Sequence, residues 1–325
     1  MKMHETTIVV IGGSGFIGSH LVARLAELGA RVIVPTRRYE RAKHLIFLPR
    51  VEVVEAPVLD AATLRRLLAG ANFAINLSGI LHAREGQGAA AYSPAFAAVH
   101  VELPRRIAAA CAAVGVKRFL HMSALGAAAE GPSMYQRSKA DGEAAARTEP
   151  SVATTIFRCS VAFGADDSFL NLFARAQKWL PVVPVPRAAA TFQPVYVGDV
   201  AQAFINAMQD PATRHQVYSM GGPNIYTLAE LVKLAGRYAG YERPVFEAPL
   251  GFAYFMARLF ELLPREPLMN RDNLDTMKVD NVVDPILQAI TAAELGIKLT
   301  PLEAIAPHYL KARLPYDDYR SRAGR

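Results

Sequence analysis

The chain carries only two cysteines in 325 residues, Cys111 and Cys159. The first stands in an alanine-rich helical stretch and the second in an apolar strand-like run, so both read as small buried hydrophobes. A disulfide framework is excluded, and a reducing compartment fits. No apolar run reaches the ~18 to 20 residues that a membrane-spanning helix requires. Residues Met1 to Thr7 lead into a strand without an apolar core, so no secretory leader is expected. His82, His121, His215 and His308 have no cysteine or carboxylate at metal-ligand spacing, so no metal is expected. The net charge of +7 lacks the arginine-rich, aromatic-interleaved stripe of a nucleic-acid binder, and that partner is excluded too. Repeats at solenoid periods are missing. A cytoplasmic protein is expected, with a place on the inner face of the membrane as the alternative.

What is present is enough apolar material, 52% of residues, for one large core or two modest ones. From residue 8 to about 165 short apolar runs alternate with amphipathic helices, the rhythm of βαβ units. Strands are expected at 7–11, 31–35, 51–55, 73–77, 118–122 and 154–157, with helices near 16–28, 40–47, 61–69, 94–114 and 134–148. The expected fold class is α/β, a Rossmann-type doubly wound parallel sheet with a smaller, partly interleaved C-terminal lobe. The dinucleotide-binding domain is expected over 1–165, with 194–215 packing back on it, and the small lobe over 166–193 and 216–325. Asp199 reads as the cap of a helix running to Met208.

The most informative stretch is Ile8-Val-Val-Ile11 followed by Gly12-Gly-Ser-Gly15-Phe-Ile-Gly18 and a helical run. Four β-branched residues in a row call for burial on both faces, as in a central parallel strand. Glycines spaced G-x-x-G-x-x-G then let the backbone turn sharply and approach a pyrophosphate seated on the N-terminus of the next helix. Gly12, Ser14, Gly15, Phe16, Ile17 and Gly18 are therefore expected to hold a nicotinamide dinucleotide. The second strand ends Val34-Pro-Thr-Arg37-Arg38, without the acid that pairs with the 2′-hydroxyl of NAD. Arg37 and Arg38 meet a 2′-phosphate instead, so NADP(H) is expected over NAD(H), with Arg41 and Lys43 adding positive potential.

Tyr135 and Lys139 stand four residues apart on an expected helix, hence on one face. A phenol is a poor acid at neutral pH, and a neighbouring ammonium favours its anion. Ser123, at the end of the strand before, would hydrogen-bond a carbonyl or alcohol oxygen. Together with the glycine stretch, the segments Ile75-Asn-Leu-Ser-Gly-Ile-Leu81, Ser133-Met-Tyr-Gln-Arg-Ser-Lys-Ala-Asp-Gly-Glu143 and Phe192-Gln-Pro-Val-Tyr-Val-Gly-Asp-Val-Ala201 resemble the short-chain dehydrogenase/reductase superfamily in its extended or atypical branch. More closely, they resemble the bacterial relatives of a nucleotide-binding accessory subunit family of respiratory complex I, alpha subcomplex subunit 9. The resemblance implies bound NADP(H), an adenine contact from Asp60 beside Leu59, and passage of the Leu77, Ser78 and Gly79 backbone along the second ribose. It also implies a relay water, held here by His100 where extended members have asparagine. Two further departures stand out: the short spacing of Ser123 to Tyr135, and Arg158-Cys159 where an Arg-Pro pair is usual.

Three functions compete on this basis. The leading expectation is an NADP-dependent oxidoreductase acting on a carbonyl or alcohol, with Tyr135, Lys139, Ser123 and His100 as its catalytic set and an unidentified small molecule as substrate. The second is a non-catalytic accessory factor that docks on a respiratory or quinone-handling assembly or a membrane surface; the third is a nucleotide-sugar epimerase or dehydratase. Glu143 is expected to form an ion pair on the exposed side of its helix. The segment 249–263 is apolar nearly all round and is expected to be a buried helix of the small lobe, with a docking surface as the alternative.

Overall fold

A computed structural model describes residues 3–82, 92–261, 269–284 and 290–311. The run of β-branched residues forms β1 (Thr7–Ile11), buried from Ile8 to Ile11. It is followed by α1 (Phe16–Glu27), β2 (Arg31–Thr36), β3 (Val51–Glu55), α2 (Ala61–Leu68) and β4 (Phe73–Asn76). The helix expected near 40–47 is a 3-10 segment, Tyr39–Leu45. The long helix expected over 94–114 has three parts: α3 (Pro94–Phe96), a wider π-helical stretch at Ala97–Glu102, and α4 (Leu103–Val114). Pro104 accounts for the widening, because it has no N–H to give the His100 carbonyl one turn back. The Leu103 amide reaches Ala98 instead.

Next come β5 (Arg118–Ala124), α5 (Met134–Ala146), opened by a capping box between Ser133 and Gln136, and β6 (Ala153–Cys159). The chain continues through β7 (Ala162–Phe163), α6 (Phe169–Trp179), β8 (Val183–Pro186), β9 (Thr191–Phe192), β10 (Val195–Tyr196) and α7 (Val197–Gln209). It closes with β11 (Val217–Met220), β12 (Tyr226–Thr227), α8 (Leu228–Ala239), β13 (Val245–Ala248), α9 (Leu250–Glu261), α10 (Arg271–Thr276), β14 (Ile290–Thr291) and α11 (Leu302–Leu310).

The main sheet runs β3-β2-β1-β4-β5-β6-β11-β14, every pair parallel. The connections reverse direction between β1 and β4, which opens a crevice at the carboxyl ends of those two strands. Both faces are covered: α7 packs on α1 over one, with Phe204 stacked on Phe157 at 4.1 Å, and α2 and α4 pack together over the other. Strand β11, expected in the small lobe, belongs to the main sheet beside β6. The lobe itself is built around Leu170, Leu231, Ala235 and Leu302 of α6, α8 and α11.

Two readings need correction. Asp199 does not cap α7; it lies in the first turn, and its carboxylate accepts from the Thr300 amide at 2.7 Å and hydroxyl at 3.0 Å. Nor is α9 a buried helix. Only Ala253 and Ala257 are buried, packing with Leu274 of α10, whereas Phe252, Phe255 and Leu259 are exposed. Leu262 and Leu263 of the apolar segment lie outside the described residues.

Candidate functional site

The turn from β1 into α1 is shaped by contacts that only glycine permits. Gly12 has φ +82°, and a Cβ there would stand 2.8 Å from the Leu77 carbonyl carbon and the Ser78 nitrogen. A Cβ on Gly18 would stand 2.3 Å from the Gly12 oxygen, so the helix can approach the loop only without one. At Gly15 the nearest atom is 3.4 Å away, and this residue is exposed, with Ser14 half-buried beside it. Gly15 is the N-cap and offers no side chain to the first amides of α1, and the first turn holds no acid. Amides at Phe16 and Ile17, reinforced by the helix dipole, are the donor set that a diphosphate requires, so the residues present fit a dinucleotide.

Arg37 and Arg38 lie exposed just past the end of β2. The Thr36 hydroxyl accepts from the Arg38 amide at 3.3 Å and donates to its carbonyl at 3.0 Å, which fixes the turn that carries them. Neither guanidinium is in an ion pair among the described residues, whereas Lys43 is paired with Glu40 at 2.5 Å. Asp60 caps α2, accepting from the Thr63 amide at 2.7 Å, and these bonds to Thr63 hold its carboxyl below the usual range. The neighbouring Leu59 carbonyl accepts from Arg106.

Across the crevice the segment after β4 is held by its backbone. The Leu77 amide donates to Ile11 at 2.8 Å, that of Ser78 to the Asn76 side-chain oxygen at 3.1 Å, and that of Ile80 to His100 Nε2 at 3.1 Å. Because Nε2 accepts, Nδ1 carries the proton and donates to Ser138 Oγ at 2.8 Å. Ser138 in turn donates to the Tyr135 carbonyl at 2.9 Å. Both ring nitrogens of His100 are thus engaged, and no nitrogen is left for the expected relay water. Burial first, and the charge of Lys139 second, push this imidazole down to about 2, so it is neutral. His100 positions the 77–80 backbone.

Tyr135 and Lys139 meet as their spacing predicts: Nζ lies 5.9 Å from the centre of the phenol ring, and the His100 ring meets that ring edge-on at 5.6 Å. Lys139 is buried, donates to the Met122 carbonyl at 3.3 Å, and lies beside Gly79, where a Cβ would be 3.5 Å from Nζ. Burial pushes the ammonium down to about 8 and pushes the phenol of Tyr135 up. Ser123 does not face these groups with a free hydroxyl. It donates to Glu143 at 2.6 Å, and Glu143 is 4% exposed and gripped by two of the three Arg158 side-chain nitrogens at 2.7 and 2.8 Å. Glu143, expected to pair on the exposed side of the helix, is therefore buried, one turn beyond Lys139 on the same face, and its partner Arg158 is half-buried.

Lys139 carries a buried charge without a carboxylate at ion-pair distance among the described residues. Lys139→Met should stabilise the nucleotide-free protein by about 2 kcal/mol while weakening NADPH binding about ten-fold, the trade-off of a functional rather than a structural residue. The sign is checked by pH. With the folded value near 8 and the ordinary value at 10.5, the unfolded state binds more protons between them. Wild-type stability should thus gain from this group as pH rises through that window, and urea titrations of the variant should lack that gain.

One residue of the site carries no local sequence signal. The carboxylate of Asp272, on α10, accepts from the Met134 amide at 2.6 Å and the Tyr135 amide at 3.1 Å, so the small lobe caps the helix that carries Tyr135. Nothing local announces a cap 138 residues away. Asp272→Ala should cost about 1 to 2 kcal/mol in denaturant unfolding, and Asp272→Asn clearly less, since the amide oxygen still accepts.

A family model described as the NAD dependent epimerase/dehydratase family matches residues 8–221. Among curated proteins, NADH dehydrogenase (ubiquinone) 1 alpha subcomplex subunit 9, mitochondrial, of Mus musculus is 33% identical over 313 residues, 94% of this chain and 80% of its own length. Ceramide reductase of Caulobacter vibrioides is 29% identical over 242 residues, 74% of this chain and 73% of its own. Among solved structures, the dTDP-glucose 4,6-dehydratase DesIV of Streptomyces venezuelae, with NAD bound, superposes with a TM-score of 0.69 over 98% of both chains at 18% identity, a likeness of fold alone. With its glycine turn, its strand order and a family match over most of its length, the chain belongs to the NAD dependent epimerase/dehydratase family.

Proposed function

We propose that the chain binds NADP(H) and keeps it as a structural or redox-sensing ligand, as an accessory factor of a respiratory or quinone-handling assembly on the inner face of the membrane. The observation that carries this reading is the Ser123 hydroxyl, which donates at 2.6 Å to the buried carboxylate of Glu143, itself paired with Arg158. Carbonyl reduction needs that hydroxyl aimed at the substrate oxygen. His100 is committed to the 77–80 backbone, and burial leaves Tyr135 a weaker acid than an ordinary phenol. Similarity to complex I alpha subcomplex subunit 9 over 94% of the chain supports the same reading.

In this account the glycine turn and the amides of α1 take the diphosphate. Arg37 and Arg38 select the 2′-phosphate, Asp60 meets the adenine side, and Lys139 with the Leu77–Gly79 backbone holds the second ribose. A bound nicotinamide supplies or accepts hydride. A second reading, NADP-dependent reduction of a carbonyl with Tyr135 as acid, is favoured by the Lys139 ammonium over the phenol ring and by the relative named ceramide reductase. The nucleotide-sugar reading is supported by the epimerase/dehydratase family match and by fold.

Purified protein should retain NADPH and show no oxidation of it when ketones or quinones are added, followed by nicotinamide absorbance. Acceptor-dependent oxidation that Tyr135→Phe abolishes, with affinity unchanged, would overturn the accessory reading in favour of the reductase.

A further inference from the structure

The helix α9 is built inside out. Its small residues Ala253 and Ala257 face the protein and pack with Leu274, and the Tyr254 hydroxyl donates to Asp275 at 2.8 Å. On the other side, Phe252, Phe255, Met256 and Leu259 fall at i, i+3, i+4 and i+7, one stripe of the helix. Phe252, Phe255 and Leu259 are 53%, 59% and 42% exposed. Large apolar groups turned outward over a helix anchored by alanines are not core material in want of packing space; they form a surface with something to cover it.

We infer that this outward face of α9 docks into an anionic lipid bilayer, lying in the headgroup region. Charge favours that occupant. The strand that leads into α9 and the helix itself, 243–260, hold two exposed basic residues, Arg243 and Arg258, against one acid, Glu247. The acids at the margins are neutralised, Glu242 by Arg237 at 3.0 Å and Glu261 by Arg271 at 2.9 Å. A second copy would bring these cations toward one another. The four-residue stripe also carries no hydrogen-bonding side chain to specify a protein partner. Among the described residues no helix is long and apolar enough to cross a membrane, so α9 lies along the surface. Since α9 packs on α10, whose Asp272 caps the helix of Tyr135, the docking face and the dinucleotide crevice share one framework. The inference names the surface behind the membrane placement proposed above and rests on that placement, not on which coenzyme is held or whether it turns over.

The test is sedimentation of the full chain with vesicles of phosphatidylcholine containing roughly 30 mol% phosphatidylglycerol, against phosphatidylcholine alone. Wild type should bind the anionic vesicles, at least about ten-fold more weakly at high salt, and the double variant Phe252→Ser, Phe255→Ser should bind at least about ten-fold more weakly still. NADPH affinity, measured on the same samples, should be unchanged in the variant, which shows that it is folded and separates this outcome from any failure of the coenzyme reading. Absence of wild-type binding, binding unchanged by the variant, or a dimer in light scattering that the variant dissociates would each overturn the inference, the last by showing that a second copy covers the face.

Discussion

Alanine in place of both Arg37 and Arg38 is expected to weaken NADPH binding about 100-fold and to leave NADH binding within about two-fold. The two guanidiniums are exposed at the end of β2, and the Thr36 turn holds the backbone of Arg38 in place before any ligand arrives. A charge-assisted hydrogen bond contributes about 1.5 to 3 kcal/mol, and at an exposed position the lower figure applies, so two of them give about 3 kcal/mol. Lysine at both positions should recover only part of the loss, because an ammonium cannot grip a phosphate through two parallel bonds. Preference for NADPH should also fall as salt rises, since part of it is an exposed charge interaction. Equal losses for both coenzymes would reduce the pair to a solvated basic face.

Gly18→Ala should do more damage than any other single methyl in the crevice. Its Cβ would lie 2.3 Å from the Gly12 oxygen and 2.6 Å from the Gly13 Cα, all backbone, so α1 must move off the loop. Overpacking of this kind costs about 3 kcal/mol, and the displaced amides no longer meet a diphosphate, so dinucleotide binding should be lost in the same variant. Gly15→Ala makes the contrast. The nearest atom to its Cβ is 3.4 Å away and its φ of −81° suits any residue, so stability should change by less than about 0.5 kcal/mol while affinity drops about ten-fold. Thermal unfolding and coenzyme titration of the two variants together separate a glycine needed by the fold from one needed by the ligand.

Which of these features the chain announces in advance depends on how local their causes are. β1, the glycine turn and the Tyr135-to-Lys139 face are written within about one helical turn or one strand, and they form where the spacing predicts. Pro104 is equally local, but whether a proline near a helix start caps, kinks or widens it depends on the packing around it; here it leaves a π-helical stretch ahead of α4. Long-range choices were hidden. Glu143 reads as a solvated helix residue until β6 brings Arg158 against it, and that contact decides what Ser123 does. β11 and β14 have four and two residues, too few to carry a parallel-sheet signature, and they join the sheet through β6. For α9, hydropathy alone marks an apolar helix all round; the decision to bury alanines and expose phenylalanines comes from α10.

The account stands on a diphosphate seated at the N-terminus of α1, with the phosphorylated adenosine chosen by two arginines. Calorimetric titration of nucleotide-free full-length protein with NADPH and with NADH tests this directly. NADPH should bind about 100-fold tighter than NADH, a difference that Arg37→Ala with Arg38→Ala removes. Equal affinity for the two coenzymes would contradict the role of the arginines, and no heat with either would contradict the dinucleotide site itself.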